Sequence, residues 1–290
     1  MWNVECGMWN VECGMWNGAV RSFMNNGVMV HLTRRVAFAL VVIAALAPGR
    51  LSFAQGGAYE VQVYGADLVP PRQTMFEFHS NLTPQGQRNP PDGTQPTDHA
   101  FHETLEITHG FNEWFEVGGY VFTSVRAGDG WRYVGSHIRP RVSVPARWKW
   151  PVGVSLSQEI GFEQRSFSPE KWTWEIRPIL DQKLGRFYWS VNLAVERALS
   201  GPGPRSFDFA PAAKVSYDVT EKVSAGVEYY ADLGPLVHFN PFGDEQHQIF
   251  PSIDLNLSPK FEFNAGVGVG LTNQGDKLVV KVIVGYRMGG

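Results

Sequence analysis

Apolar and polar residues alternate with a period of two from residue 74 almost to the end of the chain. Successive side chains on a β-strand point to opposite faces, so each alternating segment has one apolar and one polar face. The last segment places Leu278, Val280, Val282, Val284, Tyr286 and Met288 on one face and Val279, Lys281, Ile283, Gly285 and Arg287 on the other. The pattern predicts a fold built from amphipathic strands.

Twelve segments of this kind can be counted along the chain. They span 74–82, 99–108, 112–125, 131–144, 150–163, 172–184, 186–198, 206–217, 221–232, 246–257, 260–271 and 276–288. Their connections alternate between short turns and longer loops, with exceptions at 126–130 and 272–275. An even number of strands, with short turns at one end and long loops at the other, is typical of bacterial outer-membrane barrels.

A soluble β-sandwich also has alternating strands, but three features favour a barrel in a membrane. The segments run for 9–14 residues, which is longer than the usual ~5–6 and suits a tilted membrane crossing. Aromatic residues, 13% of the chain, gather near the segment ends, and the polar faces carry charge on strand after strand. A backbone in lipid must satisfy its hydrogen bonds within a closed cylinder. The sequence therefore predicts an all-β, transmembrane, antiparallel up-and-down β-barrel of about 12 strands.

The chain before residue 55 is not expected to belong to the barrel. Residues 1–28 open with two copies of MWNVECG and the start of a third, which we interpret as a spurious extension. Residues 29–54 have the order of a secretory signal peptide, with two arginines, an apolar core and the small residues Ser52 and Ala54 at positions −3 and −1. We predict cleavage after Ala54. Cys6 and Cys13 both lie in the repeat, so the mature chain has no disulfide and no cysteine metal site.

The mature chain divides into a short leading segment, 55–73, and the barrel itself, 74–290. In the leading segment, residues 60–64 alternate like a strand, but Pro70 and Pro71 stop it from continuing. Two placements are open at this point. The segment either hangs in the periplasm or folds into the lumen as a plug.

In pattern, signal and topology, the mature chain resembles Gram-negative outer-membrane β-barrel proteins. Residues 281–288 resemble the C-terminal strand signal that the barrel-assembly machinery reads, although two glycines follow Met288. Residues 60–64 and 76–81 resemble poorly characterised transporter barrels, including a group associated with phenol degradation. The resemblance implies a location in the bacterial outer membrane, with outer-membrane lipid and the barrel-assembly machinery as partners. A net charge of −3 and an isoelectric point near 6.2 give no basic footprint for nucleic acid.

The sequence does not favour an enzyme. Known barrel lipases and deacylases use a His-x-Ser pair on one strand, and that spacing does not occur here. His79 and Ser80 are adjacent in sequence, as are Ser136 and His137, so each pair divides between opposite faces of its strand. A serine nucleophile must lie within hydrogen-bond reach of its base. We therefore predict no catalytic residue.

A small group of histidines and acids raises the question of a metal. His79 and His102 are expected to face the lumen on adjacent strands, with Glu77 below them. They could hold a cation, or they could simply form a polar lining at the barrel mouth. We adopt the polar lining, and predict no metal and no cofactor.

Residues 266–270 alternate glycine with valine. No helix follows this run, so it is not a nucleotide-binding loop. We interpret the glycines as small lumen-facing residues that make room for bulky neighbours. Accordingly, Val267 is expected to face lipid and Gly268 the lumen, where a serine in place of Gly268 would be hydrated and tolerated.

The predicted lumen carries many charges. Its lining is expected to include Glu77, His79, His102, Glu106, Glu116, His137, Arg139, Arg141, Glu159, Glu175, Arg177, Lys214, Glu228, Asp254, Glu262 and Lys281. Arg139 and Arg141 share the inward face of the fourth strand with His137, and we expect acid–base pairs that reach Glu116 on the third strand and Glu159 on the fifth. The function predicted from this lining is passive passage of small solutes, as in a porin-like channel. The alternative is a non-conducting structural or surface-binding barrel that internal salt bridges close.

Overall fold

The structure, a computed structural model, describes residues 59–90, 92–202 and 205–289. These residues form the strands β1 (Gln73–Gln85), β2 (Ala100–Asn112), β3 (Phe115–Arg126), β4 (Gly130–Ser143), β5 (Gly153–Glu163), β6 (Trp172–Leu184), β7 (Phe187–Ser200), β8 (Phe207–Asp218), β9 (Val223–Asp232), β10 (Gln246–Leu255), β11 (Phe261–Gly270) and β12 (Leu278–Gly289). Each strand pairs with its neighbours in chain order, and β12 pairs with β1 to close the barrel. The predicted antiparallel up-and-down barrel is confirmed. The repeat and the signal peptide lie outside the described residues.

Each strand turns one face outward and the other inward. On β1, Phe78 is 53% exposed while the adjacent His79 is fully buried. On β11, Val267 is 48% exposed, as expected for a residue that faces lipid. The exterior is therefore rich in apolar side chains. Such a surface is unfavourable in water but stable in contact with lipid. No helix among the described residues is long and apolar enough to cross a membrane.

The connections differ in one place from the sequence prediction. The link between β4 and β5 covers residues 144–152 and contains a short 3-10 helix, Ala146–Trp148, so it is longer than the five-residue turn expected there. At the opposite end of the barrel, the longer loops interlock. Thr97 and the backbone amide of Gln87 both donate hydrogen bonds to Asp276. Burial raises the pKa of Asp276, because the loops shield its carboxyl from water.

The chain reaches β1 from inside the barrel. Residues 59–72, here called the strap, run through the lumen from the long-loop end to the short-turn end. At the first end, the Tyr59 carbonyl accepts a hydrogen bond of 2.8 Å from Thr104 Oγ1. At the second, the Arg72 amide donates one of 2.7 Å to the Gly110 carbonyl. Arg72 has a φ of 64°, and the chain turns there to enter β1.

Apolar side chains of the strap pack against rings and aliphatic groups that point inward from the strands. The resulting buried clusters are Tyr59 with Tyr120, Phe122, Val134 and Phe167, Val61 with Phe250 and Val279, and Tyr64 with Ala66 and Ile179. The lumen is thus partly an apolar core built around the strap. The sequence analysis assigned the charged residues of the lumen but not this apolar packing, because the packing exists only once the strap is inside.

Candidate functional site

Side chains of the wall satisfy the backbone of the strap, which has no strand partner. Asn192 binds both backbone groups of Tyr64, since its Oδ1 accepts from the amide at 2.9 Å and its Nδ2 donates to the carbonyl at 2.8 Å. Glu116 accepts from the Val69 amide at 2.7 Å. Further donors to strap carbonyls are Asn81, Thr104, Arg141, Ser143, Ser190 and Lys281. Buried peptide groups need such partners, so these polar side chains hold the strap in the lumen.

Tyr64 anchors the middle of the strap through its ring. The guanidinium carbons of Arg139, Arg177 and Arg141 lie 4.5, 5.2 and 5.8 Å from the ring centroid. The Tyr64 hydroxyl donates a hydrogen bond of 2.5 Å to Glu60. A desolvated cation–π contact contributes roughly 2 kcal/mol, so this single ring links the strap firmly to β4 and β6.

A first group of ion pairs lies on the β2–β4 wall. Arg139 Nη2 is 2.6 Å from Glu106 Oε1 and 3.8 Å from Glu116 Oε1, while Arg141 Nη1 is 3.6 Å from Glu116 Oε1. Arg139 reaches Glu106 by crossing Gly118, which has no side chain in its path. Glu159 contacts His137, so acid–base pairs run across β3, β4 and β5 as expected. The contact of Arg139 with Glu106 on β2 was not expected, and it exists because Gly118 leaves the route open.

A second group of charges lies on the opposite wall, where β8, β9, β10 and β12 come together. Lys281 donates to Glu228, and Lys214 lies 2.7 Å from Asp254 and 3.4 Å from Glu228. Asn264 donates to both carboxylates, at 3.1 Å to Glu228 and 2.8 Å to Asp254. Every charge in this group has a partner, as burial requires.

Between these groups, on the β5–β10 side of the strap, lies a cavity of about 120 Å³, here called the side cavity. It is large enough for several water molecules. Its charged lining comprises Glu60, His137, Glu159, Glu163, Glu175, Arg177, Glu196 and Asp232. Ala194, Ala210 and Ala212 form part of its wall, and their small side chains leave the space open. Carboxylates thus outnumber cationic side chains around the cavity.

The residues predicted from sequence to line the lumen lie at inward-facing positions of the barrel. Glu77, His79, His102, Glu106, Glu116, Arg139, Arg141, Glu159, Glu228 and Lys281 are buried. His137, Glu175, Arg177, Lys214, Asp254 and Glu262 are partly buried. The structure does not gather them into one site. It divides them among the two ion-paired walls, the side cavity and a cluster on β1 and β2 formed by Glu77, His79 and Glu106.

Gly268 corrects one expectation of the sequence analysis. It faces the lumen, but a Cβ placed there would lie 2.1 Å from Cζ of Phe250, which is fully buried. Gly266 similarly leaves room for Lys281, whose Cε would lie 3.4 Å from an added Cβ. The interpretation of these glycines as space for bulky neighbours fits this geometry. The tolerance expected for serine at Gly268 does not, because the space is filled by a ring and not by water.

Sequence reasoning missed the residues that bind the strap. Asn192 and Ser190 on β7, and Thr104 on β2, are buried and uncharged, so a search for charge passed over them. Their common signal is a small polar residue at an inward position of a strand. Such residues are costly inside a barrel unless they bind something, and here they bind backbone. Tyr64 was likewise seen only as part of an alternating stretch.

Comparison with solved structures places this fold among membrane barrels. The COG4313 outer membrane channel from Pseudomonas putida F1 superposes with a TM-score of 0.54 at 10% identity, over 79% of this chain and 100% of that chain. The KdgM porin and the NanC porin each give a TM-score of 0.49 at 8% identity, over 74% of this chain. The two superpositions cover 99% of the KdgM porin chain and 100% of the NanC porin chain.

No family model and no curated protein sequence matches this chain. The structural likeness therefore concerns the fold alone, which is that of bacterial outer-membrane barrels. The predicted outer-membrane location agrees with that fold and with the apolar exterior of the barrel.

Proposed function

We propose that this protein is a narrow outer-membrane channel for the passive passage of small solutes, with the strap confining the path to the side cavity. Its partners under this proposal are outer-membrane lipid, the barrel-assembly machinery and the solutes themselves. The observation that carries the proposal is the side cavity, which lies inside a closed barrel and between the strap and a wall of small side chains. The narrower relation to barrels associated with phenol degradation is part of the same proposal.

The charge of the side cavity favours positively charged solutes. Oε2 of Glu159 and of Glu163 is buried with no hydrogen-bond partner in the part of the chain that the structure describes. Glu196, Glu175 and Asp232 line the same space. A ring of carboxylates lowers the energy of a cation in a confined path and raises that of an anion. We therefore expect cations to pass in preference to anions.

Single-channel recording of the refolded mature protein in planar bilayers tests this function. The wild type is expected to show a small, cation-selective conductance. A variant that lacks residues 59–70 is expected to conduct several-fold more, because the wall side chains that held the strap then face water. A matched control deletes residues 274–275 in the β11–β12 loop, which lie outside the side cavity, and should keep a small conductance.

The second candidate is a non-conducting barrel. The observation in its favour is the filling of the lumen by the strap, with ion pairs on both walls. Under that account the wild type stays at background conductance, and deletion of the strap lowers stability without creating a cation-selective path. The recording thus separates the two candidates.

A further inference from the structure

We propose that Glu77, His79 and Glu106 bind one divalent transition-metal ion on the inner wall of the barrel, beneath the strap. The proposal goes beyond the channel function, since these residues can bind metal whether or not the lumen conducts. From the sequence alone, a polar lining was the expectation at this place. The geometry of the cluster now favours the metal.

The three side chains converge from two adjacent strands. Glu77 on β1 is directly opposite Glu106 on β2, and His79 is the next inward residue along β1. One ligand atom from each residue lies within 4.8 Å of the others, and His79 Nε2 is 3.5 Å from Glu106 Oε2. Ligand atoms around an ion bound at ~2.1 Å are roughly 3–4 Å apart, so side-chain shifts of about 1 Å complete the site.

His79 supplies an independent sign of a missing ligand. Its side chain is fully buried, and neither ring nitrogen has a hydrogen-bond partner among the described residues. A buried polar group left unpaired costs about 1–3 kcal/mol. An ion bound to Nε2 would satisfy the nitrogen that points at the two carboxylates.

The charge balance points the same way. Glu77 and Glu106 form a directly opposite pair of acids, which is unfavourable for like charges on adjacent strands. Glu262 adds a third acid across Gly285, where an added Cβ would lie 2.9 Å from Glu77 Cγ and 3.1 Å from Glu262 Cβ. Arg139 binds Glu106 through Oε1, while Oε2 faces His79 and accepts a long hydrogen bond of 3.3 Å from the Tyr64 hydroxyl. Over the described ranges, no ion pair neutralises Glu77 or Glu262.

The strap provides a further oxygen next to the cluster. Gln62 donates a hydrogen bond of 3.3 Å to Glu262 Oε1, while its own Oε1 is buried with no partner among the residues described. An ion bound here would therefore lie close to the strap as well as to β1 and β2. Metal binding is expected to tie the strap to the wall and to stabilise the folded barrel.

The donor set selects the class of ion. Calcium and magnesium take six or more oxygen ligands, whereas an imidazole with carboxylates suits zinc, manganese, iron and cobalt. Soft Cu(I) prefers thiolate or thioether sulfur, and the mature chain has no cysteine. We therefore choose Zn²⁺ to measure binding and Co²⁺ to report the ligands.

The experiment uses the refolded mature protein, stripped with a chelator and then equilibrated with ZnCl2 or CoCl2 in detergent. We expect the wild type to retain one ion per chain after desalting, with a rise in Tm, and to show visible absorption with Co²⁺. His79→Gln and Glu77→Gln should weaken Zn²⁺ binding by more than about tenfold. The matched control is His102→Gln, because His102 is also buried with both nitrogens unpartnered in the described structure, but lies outside the cluster.

Several results would overturn the site. They are a wild type that binds no Zn²⁺ at micromolar concentration, a wild type that gives no Co²⁺ absorption, and a His102→Gln variant that loses as much binding as His79→Gln. A wild type whose Tm responds to pH but not to either metal would show that the two acids share a proton instead. Because the first two measurements use the wild type alone, the proposal can fail even if a variant does not fold. Conductance plays no part in them, so a failure of the channel proposal leaves them interpretable.

Discussion

The β2–β4 wall and the β6–β8 wall face the same strap but treat it differently. On β3 and β4, the inward residues Tyr120, Arg139 and Arg141 are large and buried, and they pack against the strap with little space left. On β7 and β8, the inward residues Ala194 and Ala212 are small, and the side cavity opens between them and the strap. Both walls have the same period of two and similar charge. The size of the uncharged inward residues therefore decides where a path can exist.

The difference also shows what charge does on each side. Buried acids beside Arg139 and Arg141 are neutralised at close range and act as structure. Acids around the side cavity, such as Glu163, keep carboxylate oxygens without a hydrogen-bond partner among described residues. Six carboxylates share only His137 and Arg177 around this cavity, so their excess negative charge can attract a passing cation, whereas carboxylates neutralised at close range do so far less.

The largest expected effect comes from one substitution made on each side. Arg139→Ala leaves the buried Glu106 without its close cation, while Glu116 keeps only Arg141, so we expect a loss of about 3–5 kcal/mol in the free energy of unfolding. Arg177 borders the side cavity, so in Arg177→Ala water in the cavity can hydrate the partly buried Glu175. We expect less than half of that loss. Urea titration of both variants in lipid vesicles checks the ratio, and equal losses would contradict the distinction between the sides.

A smaller effect is expected at Gly268, where the space beside the glycine is occupied by the ring of Phe250. Gly268→Ser should cost about 1–3 kcal/mol, because its side chain overlaps the ring of Phe250. The same change in a Phe250→Leu background should cost less, since the ring is gone. Vesicle unfolding of the single and double variants provides the measurement. A Gly268→Ser variant as stable as the wild type would mean that the ring does not occupy this part of the lumen.

The smallest effect on stability is expected at Glu196, which lines the side cavity. Glu196→Gln should leave the unfolding free energy within about 0.5 kcal/mol of the wild type and shift the reversal potential in a KCl gradient at pH 9 toward lower cation preference. Glu116→Gln, on the packed wall, should do the reverse, with lower stability and an unchanged reversal potential. If both substitutions shifted the reversal potential equally, the ion path would not be confined to the side cavity.

The sequence predicted much of this fold because alternation acts residue by residue. It placed Phe78 outside and His79 inside, and it located the strands to within a few residues. It could not place the strap, since residues 60–64 alternate equally well in a strand, a tail or a plug. Nor could it show that Arg139 crosses Gly118 to reach Glu106, because that route depends on the register of three strands. The pairing of charges is a property of the assembled wall.

The side cavity also could not be predicted from the sequence. Ala212 and Gly268 both read as small inward residues, yet one borders open space and the other is covered by a ring. The difference comes from Phe250, which reaches across from β10. Small residues in a strand therefore predict available volume but not whether a neighbour fills it.

The most direct test of the account is cysteine accessibility, which is possible because residues 14–290 contain no cysteine. Ala212→Cys lies on the side cavity, and Thr104→Cys is its matched partner on the packed side, where Thr104 is fully buried. Each variant is recorded in a planar bilayer while a positively charged methanethiosulfonate reagent is added. The account predicts rapid modification and loss of current for Ala212→Cys, with neither in Thr104→Cys. Current that survives modification of Ala212→Cys, or that Thr104→Cys blocks equally well, would contradict a path through the side cavity.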